Sequence, residues 1–366
     1  MTAREVDRLA ELVTIETPTG DSAGLAAAQQ LIRSWISPIV GDGDLETVEG
    51  VAHLRWSGGD DPTVLLIGHV DTVFPAGTIA ERPFRVDGDR ATGPGVFDMK
   101  AGIVIIAAAL EKVARPERVA ILLTSDEEVG SITSRALIER EAARVGTVLV
   151  LEPSLDGALK IARRGGSIYR LAFTGRAAHA GLEPAKGRSA LAELAHHVLA
   201  LPLLADDDRG TTVSPTVAEA GTVTNVIPEH AELRVDVRAW TLDELERVDG
   251  RMQSLGAHTP DVRVDVHGGI NRPPMEQSVS EELLACARRV AERLGHAEVE
   301  AVSAGGASDG NFTAAVGART LDGLGPRGSG AHADHEWVSI ASLHERIDLL
   351  AGMIDDLDAA SESGAG

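Results

Sequence analysis

Cysteine occurs once in the 366 residues, as Cys286, so no internal disulfide can form. Leu283, Val290 and Leu294 share its helical spacing, which marks it as a core thiol. Lysine is scarce as well, with only Lys100, Lys112, Lys160 and Lys186 among 34 basic residues, a coding bias on which no function rests. Those 34 are outnumbered by 56 acidic residues, and the net charge of -22 argues against nucleic acid or an anionic membrane as partner. No apolar run reaches the length of a membrane span, and the N-terminus Met1 to Leu9 has no continuous apolar stretch, so cytoplasmic residence is expected. The small polar tail Ser361 to Gly366 is expected to fray.

Several motifs are missing too. There is no internal repeat and no Gly-x-Ser-x-Gly elbow, which disfavours serine hydrolase chemistry. Gly305-Gly-Ala-Ser-Asp309-Gly310 lacks the Walker lysine and the GxGxxG spacing; it reads as a pocket loop in which Asp309 caps the next helix. The acidic run Asp206 to Asp208 reads as a solvated loop.

What is present is ample for packed cores: hydrophobic residues make up 43% of a chain longer than one core usually serves, so two domains are expected. Two amphipathic helices are expected within residues 2 to 37. The apolar runs 64 to 67, 119 to 123 and 148 to 151 read as strands buried on both faces, while 100 to 114 and 133 to 144 have helical spacing. That alternation predicts an α/β fold with three layers around a mixed sheet. From 165 to 271 the pattern changes to strand (168 to 174), helix (188 to 200), strands (216 to 224 and 230 to 238), helix (242 to 256) and strand (262 to 267). The β-α-β-β-α-β order is ferredoxin-like, an α+β domain inserted into a catalytic domain made of 1 to 164 and 272 to 366. A strand near 297 to 302 and helices at 278 to 294 and 338 to 358 complete the larger part.

Ligands gather at the carboxyl ends of strands in such sheets, and His69, Glu127, Glu128 and Glu152 each follow an apolar run directly. With Asp98 and His332 they form a set of imidazoles and carboxylates suited to zinc or a similar divalent ion. Two ions need at least five protein ligands. His69, Asp98, Glu128, Glu152 and His332 supply five, leaving Glu127 as a general base for the attacking water. Asp71, two residues beyond His69 in extended chain, is placed to accept the second ring proton and fix the tautomer. His335 is a rival to His332.

The phrases Gly-His69-Val-Asp71-Thr-Val, Gly-Pro-Gly-Val-Phe-Asp98-Met-Lys-Ala-Gly, Asp126-Glu127-Glu128-Val-Gly and Gly-Ala-His332 resemble those of the zinc-dependent exopeptidase and aminoacylase family. The similarity runs from about residue 6 to 355, with the motifs in the family's order. The resemblance implies two Zn²⁺, for which Co²⁺ or Mn²⁺ are substitutes on carboxylate-rich donors. It implies that Asp98 bridges them, with His69 and Glu152 on one and Glu128 and His332 on the other, and that the Asp98-Met99 peptide is cis. Glu152, followed by Pro153, favours the glutamate-carboxypeptidase-like branch.

Segments around His179, Asn225 and Arg238 are similar to family segments that bind the substrate carboxylate and steady the tetrahedral intermediate. The alternative is a surface His179 and an Arg238 paired along its strand. The resemblance further implies a homodimer through the inserted domain, with His179 reaching the partner's site. The expected activity is hydrolysis of an amide next to a free carboxylate in a small peptide or N-acyl-amino-acid substrate, releasing a C-terminal amino acid, with glutamate a candidate. An N-acyl-amino-acid deacylase (deacetylase or desuccinylase) is the near alternative, and a non-catalytic metal-binding protein that binds peptides is the distant one.

Overall fold

The structure is a computed structural model that describes residues 3 to 363, and the chain divides into two compact units. The first comprises the chain up to Ala162, Gln277–Ala304 and the segment from Ser308; the second comprises Arg163–Glu276 with Gly305–Ala307.

The first unit is built on a six-stranded mixed sheet. Its strands run in the order Asp44–Val48, Val51–Trp56, Val119–Thr124, Val64–His69, Thr147–Val150 and Arg319–Leu321. Val64–His69 pairs in parallel with both neighbours, whereas the first two strands form an antiparallel edge. Alternation along the central strand makes the three layers. Val64 and Leu66 face one core with Leu54, Ile121, Leu123 and the helix Ala101–Leu110. Leu65 and Ile67 face the other with Leu122, Val148, Ile138 and Phe312. With both faces covered, no position on Val64–His69 or Val119–Thr124 needs a polar side chain until each strand ends.

The helix Ala101–Leu110 is apolar on every side and all ten of its residues are buried, as a helix between a sheet and other helices must be. Helices Ala3–Thr14, Ser22–Val40 and Ile340–Ser363 pack around it. Each fully buried Leu or Ile in this layer contributes about 1.5–3 kcal/mol relative to exposure. Asp21 starts the second of these helices by accepting the N–H groups of Ala23 and Gly24. The helix Ile340–Ser363 extends through Ser361, and only residues 364 to 366 of the tail expected to fray lie outside the described residues. No helix among the described residues is long and apolar enough to cross a membrane.

The second unit is ferredoxin-like, with the expected β-α-β-β-α-β order: Gly165–Thr174, Ala190–Ala200, Thr212–Ala220, His230–Ala239, Leu242–Gln253 and Arg263–Arg272. Its sheet is antiparallel throughout. Tyr169, Leu171, Phe173, Leu233, Val235 and Val237 turn one face toward Leu194, Leu245 and Val248 of the two helices. Ser189 and Thr241 cap those helices from the side chain. The boundaries move by a few residues from expectation, most at Thr212–Ala220, which starts earlier and carries a bulge after Pro215. In the first unit the strand expected near 297 to 302 is short and displaced to Ala301–Ala304.

Candidate active site

Parallel pairing aligns His69 with Thr124, so the polar residues that end each strand emerge at one edge of the sheet. His69 is its strand's last residue, Glu127 and Glu128 begin a 3-10 turn just beyond Thr124, and Glu152 follows Thr147–Val150 by two. Asp98 comes from an irregular turn, Val96–Lys100, in which the Asp98-Met99 peptide is cis, as the resemblance implied. His332 sits in a loop with φ +63.

The distances form one connected pattern. His69 Nε2 stands 3.2 Å from Asp98 Oδ1 and 3.6 Å from Glu152 Oε1. His332 Nε2 stands 3.4 Å from Asp98 Oδ2 and 3.0 Å from Glu128 Oε2. Asp98 thus turns one oxygen to each imidazole. Glu127 offers an oxygen to the same cluster, within 4.8 Å of donor atoms of His69 and Glu152. His335, the rival, instead lines a hollow with Glu81, Arg82, Arg85 and Thr92.

His69 Nδ1 lies 2.9 Å from the backbone carbonyl of Asp71. A carbonyl only accepts, so Nδ1 carries the proton and the Nε2 lone pair is aimed at carboxylates. That arrangement calls for a cation in between, a proton or a metal. Asp71 faces the same ring nitrogen twice, with its carbonyl at 2.9 Å and its carboxylate at 3.5 Å from Nδ1. The carboxylate also accepts the N–H groups of Glu127 and Glu128, each at 3.2 Å, and the Thr19 hydroxyl at 2.8 Å. Asp71 therefore orients His69 through the main chain and holds the Glu127–Glu128 turn through the side chain.

The electrostatics reflect the crowding. Burial opposes a charge on His69, yet Asp71 and Asp98 outweigh it and raise its pKa well above 6.5. Asp98 holds His332 up to about 9. Burial pushes Glu128 up to about 7. For Asp98, burial is outweighed by His332 and His69, and the carboxyl is lowered. Glu128 Oε1 is buried with no hydrogen-bond partner among the described residues. An orphaned carboxylate oxygen beside two imidazoles and three further carboxylates fits divalent cations as ligand donors.

Several supporting residues escaped the sequence reading. Buried Glu336 accepts the N–H groups of Gly95, Phe97 and Asp98 at 2.8, 2.8 and 2.9 Å. Its only sequence signal is a place four residues after His332. Buried Lys100 donates to the Ile15 carbonyl at 2.7 Å, and burial lowers it to about 7. Asp126 ties down the chain after the turn by accepting Thr133 N at 2.6 Å and Ser134 Oγ at 2.5 Å. Asp309 does not cap the helix Gly310–Ala315 with its side chain; the carboxylate is engaged by Thr124 at 3.0 Å and by Ser131. A buried hydroxyl pair outcompetes a helix end whose first donors are already met by Ser308.

His179, Asn225 and Arg238 belong to the second unit. His179 pairs with Val226 in a short antiparallel ladder that continues in the Ala180 N–H to Asn225 carbonyl bond at 2.9 Å. His179 Nδ1 accepts from Gly181 and Leu182, both at 3.1 Å, which leaves Nε2 as the protonated edge. Arg238 makes a fork to Asp236 at 2.9 and 2.8 Å, the strand-neighbour pairing named as the alternative.

Known proteins share this architecture. A family model described as Peptidase family M20/M25/M40 matches residues 65–356. Carboxypeptidase G2 of Pseudomonas sp. is 32% identical, covering 97% of this chain and 89% of that protein. A succinyl-diaminopimelate desuccinylase of Thioalkalivibrio sulfidiphilus is 28% identical over 96% of this chain and 98% of its own length. In fold, the aminopeptidase PepT of Bacillus cereus matches with a TM-score of 0.77 at 20% identity, covering 97% of this chain and 98% of that one. The M20 metallo-carboxypeptidase Sso-CP2 of Sulfolobus solfataricus matches at 0.72 and 16% identity, covering 97% and 99%. With the family model spanning most of the sequence, the ordered motifs and a cluster of metal-binding donors at the strand ends, this chain belongs to peptidase family M20/M25/M40 and is a metal-dependent hydrolase.

Proposed function

We propose that the chain is a dizinc carboxypeptidase that cleaves an amide next to a free carboxylate and releases a C-terminal amino acid, glutamate first among the candidates. The observation that carries it is the shared Asp98, one oxygen toward His69 and the other toward His332. In this reading His69 and Glu152 hold one ion, Glu128 and His332 the other, and Asp98 both. Ions bound there would supply Lewis acidity to the scissile carbonyl and would lower the pKa of the attacking water.

The remaining steps belong to side chains. Glu127 takes the proton from water and returns it to the leaving amine, while Asp71 keeps the Glu127–Glu128 turn in place through two backbone N–H bonds. His179 presents its protonated Nε2 to the oxyanion. Asn225 and Arg238 engage the substrate; Arg238 spends Nε and Nη2 on Asp236 and keeps Nη1 for a carboxylate. Residues 165–271 act as a lid and as the contact of a homodimer. Small peptides or N-acyl amino acids are the substrates.

The 32% identical carboxypeptidase favours peptidase specificity, and the desuccinylases favour the deacylase alternative. A panel of C-terminal glutamyl and other aminoacyl amides, N-acetyl and N-succinyl amino acids, assayed on zinc-loaded enzyme, separates them. Preferred release of a C-terminal amino acid is the expected result; preferred release of acetate or succinate overturns it.

A further inference from the structure

Within the first unit, a hollow of about 30 Å³ lies between the turn at Gly157, the chain after the helix Glu281–Leu294, and the helix Ile340–Ser363. His296, Arg327 and Arg346 line it, with exposed Glu298 and Glu345 at its rim. Arg346 is 7% exposed, and among the described residues one of its five N–H donors, on Nη2, meets a protein acceptor, the Gly157 carbonyl at 2.5 Å. Arg327 is pressed against the same turn: a Cβ added at Gly157 would stand 2.4 Å from Arg327 Nε, and φ there is +91. The positive φ favours glycine at this turn.

Neither guanidinium forms an ion pair with a carboxylate among the described residues. For Arg346 that is unusual in a chain of 56 acidic residues, because a buried cation is costly to leave unpaired, whereas Arg327 is exposed to solvent. Burial and the neighbouring Arg327 lower Arg346 to about 10, which leaves it charged at neutral pH. Two like charges therefore converge on one turn, beside a hollow that both side chains line.

We propose that this hollow binds one small inorganic anion of halide size, held by Arg327 and Arg346. The hollow is small and has room for a water-sized guest, which suits a halide. The two arginines are separate from the metal cluster but joined to it by the main chain. The Gly157 turn follows Glu152 by five residues, and Arg327 precedes His332 by five. The two stretches are cross-linked by Gly325 N to the Glu152 carbonyl at 2.8 Å and Ser154 Oγ to the Pro326 carbonyl at 2.8 Å. The anion closes this cross-link on its outer side.

The test uses full-length, metal-loaded protein and bromide as the probe. Melting temperature is titrated with sodium bromide and sodium chloride, with ionic strength held constant by sodium gluconate, and crystals are soaked in bromide for anomalous diffraction. The expected result is a saturable rise of several degrees in either halide and an anomalous peak between Arg327 and Arg346. Arg327→Leu should lose both while remaining folded in gluconate, since it removes a repulsion; Arg346→Met is the second variant should it not fold. No saturable rise, an equal rise in the variants, or a hollow filled by water alone in bromide would overturn the proposal.

Discussion

Glu336 Oε1 accepts the backbone N–H of Asp98 at 2.9 Å, so the carboxylate placed between the two histidines is itself held by a buried carboxylate four residues beyond one of them. Three backbone N–H groups end on Glu336 and would lose this acceptor without it. Glu336→Ala should weaken metal binding by about 10–100-fold, the usual cost of removing a partner behind a ligand. Glu336→Gln should fall between, since the amide keeps one accepting oxygen. Equilibrium dialysis against a competing chelator measures both.

Glu127→Ala should lower kcat by about 10²–10⁴-fold while metal content stays full, because the variant loses a proton carrier and leaves the other donors in place. Glu128→Ala should lose metal and activity together. Metal analysis paired with steady-state kinetics distinguishes them, and equal metal loss in both would cancel the division of labour.

Gly102 stands where the helix Ala101–Leu110 begins, and a Cβ there would be 2.3 Å from the Leu151 carbonyl oxygen. That oxygen belongs to backbone, which cannot swing aside, and Glu152 is the next residue. Gly102→Ala should therefore destabilise the fold by about 1–3 kcal/mol, as overpacking does, and reduce metal affinity at the same time. Thermal melts with and without chelator separate the two effects. Full metal affinity in the variant would show that Glu152 is insulated from the helix.

Chelation should also lower the melting temperature of the wild type. A ligand present at a thousand times its dissociation constant stabilises by about 4 kcal/mol, and this is lost when it is removed. Adding zinc back should restore both stability and turnover. Stability indifferent to chelator would contradict a metal site tied to the sheet.

The second unit should lose stability in acid. Burial lowers the pKa of His197 below 6.5, so the folded state resists a proton that the unfolded chain accepts. Burial would raise Glu193, but the N–H groups of His258 and Thr259 at 2.8 and 2.7 Å outweigh it and lower the carboxyl below 4.5. Both folded values are depressed, so both contributions are intact above the unfolded values and decline as pH falls, His197 first from about 6.5 and Glu193 below 4.5. Denaturant melts from pH 8 to 4 should show this, and His197→Leu should flatten the upper part of the decline.

Sequence alone determined the layers and the chemistry on offer. Uninterrupted apolar runs at 64 to 67 and 119 to 123 announce strands covered on both faces, and the first polar residues after them mark the edge where ligands gather. The ferredoxin-like order of the second unit is legible for the same reason, since period 2 and period 3.6 repeat over whole elements. Short elements were not: a four-residue strand such as Ala301–Ala304 has too few turns of pattern to register its ends.

Only the tertiary structure decided who holds whom. Asp71 supports His69 with its carbonyl and the Glu127–Glu128 turn with its carboxylate, Asp309 answers Thr124 and Ser131 instead of a helix end, and Glu336 reaches back across more than two hundred residues to Asp98. Arg327 and Arg346 meet at one turn in the same way. Periodicity records which face of an element is buried, but a hydrogen bond depends on distance and angle between groups remote in sequence, and these exist only once the backbone is in place.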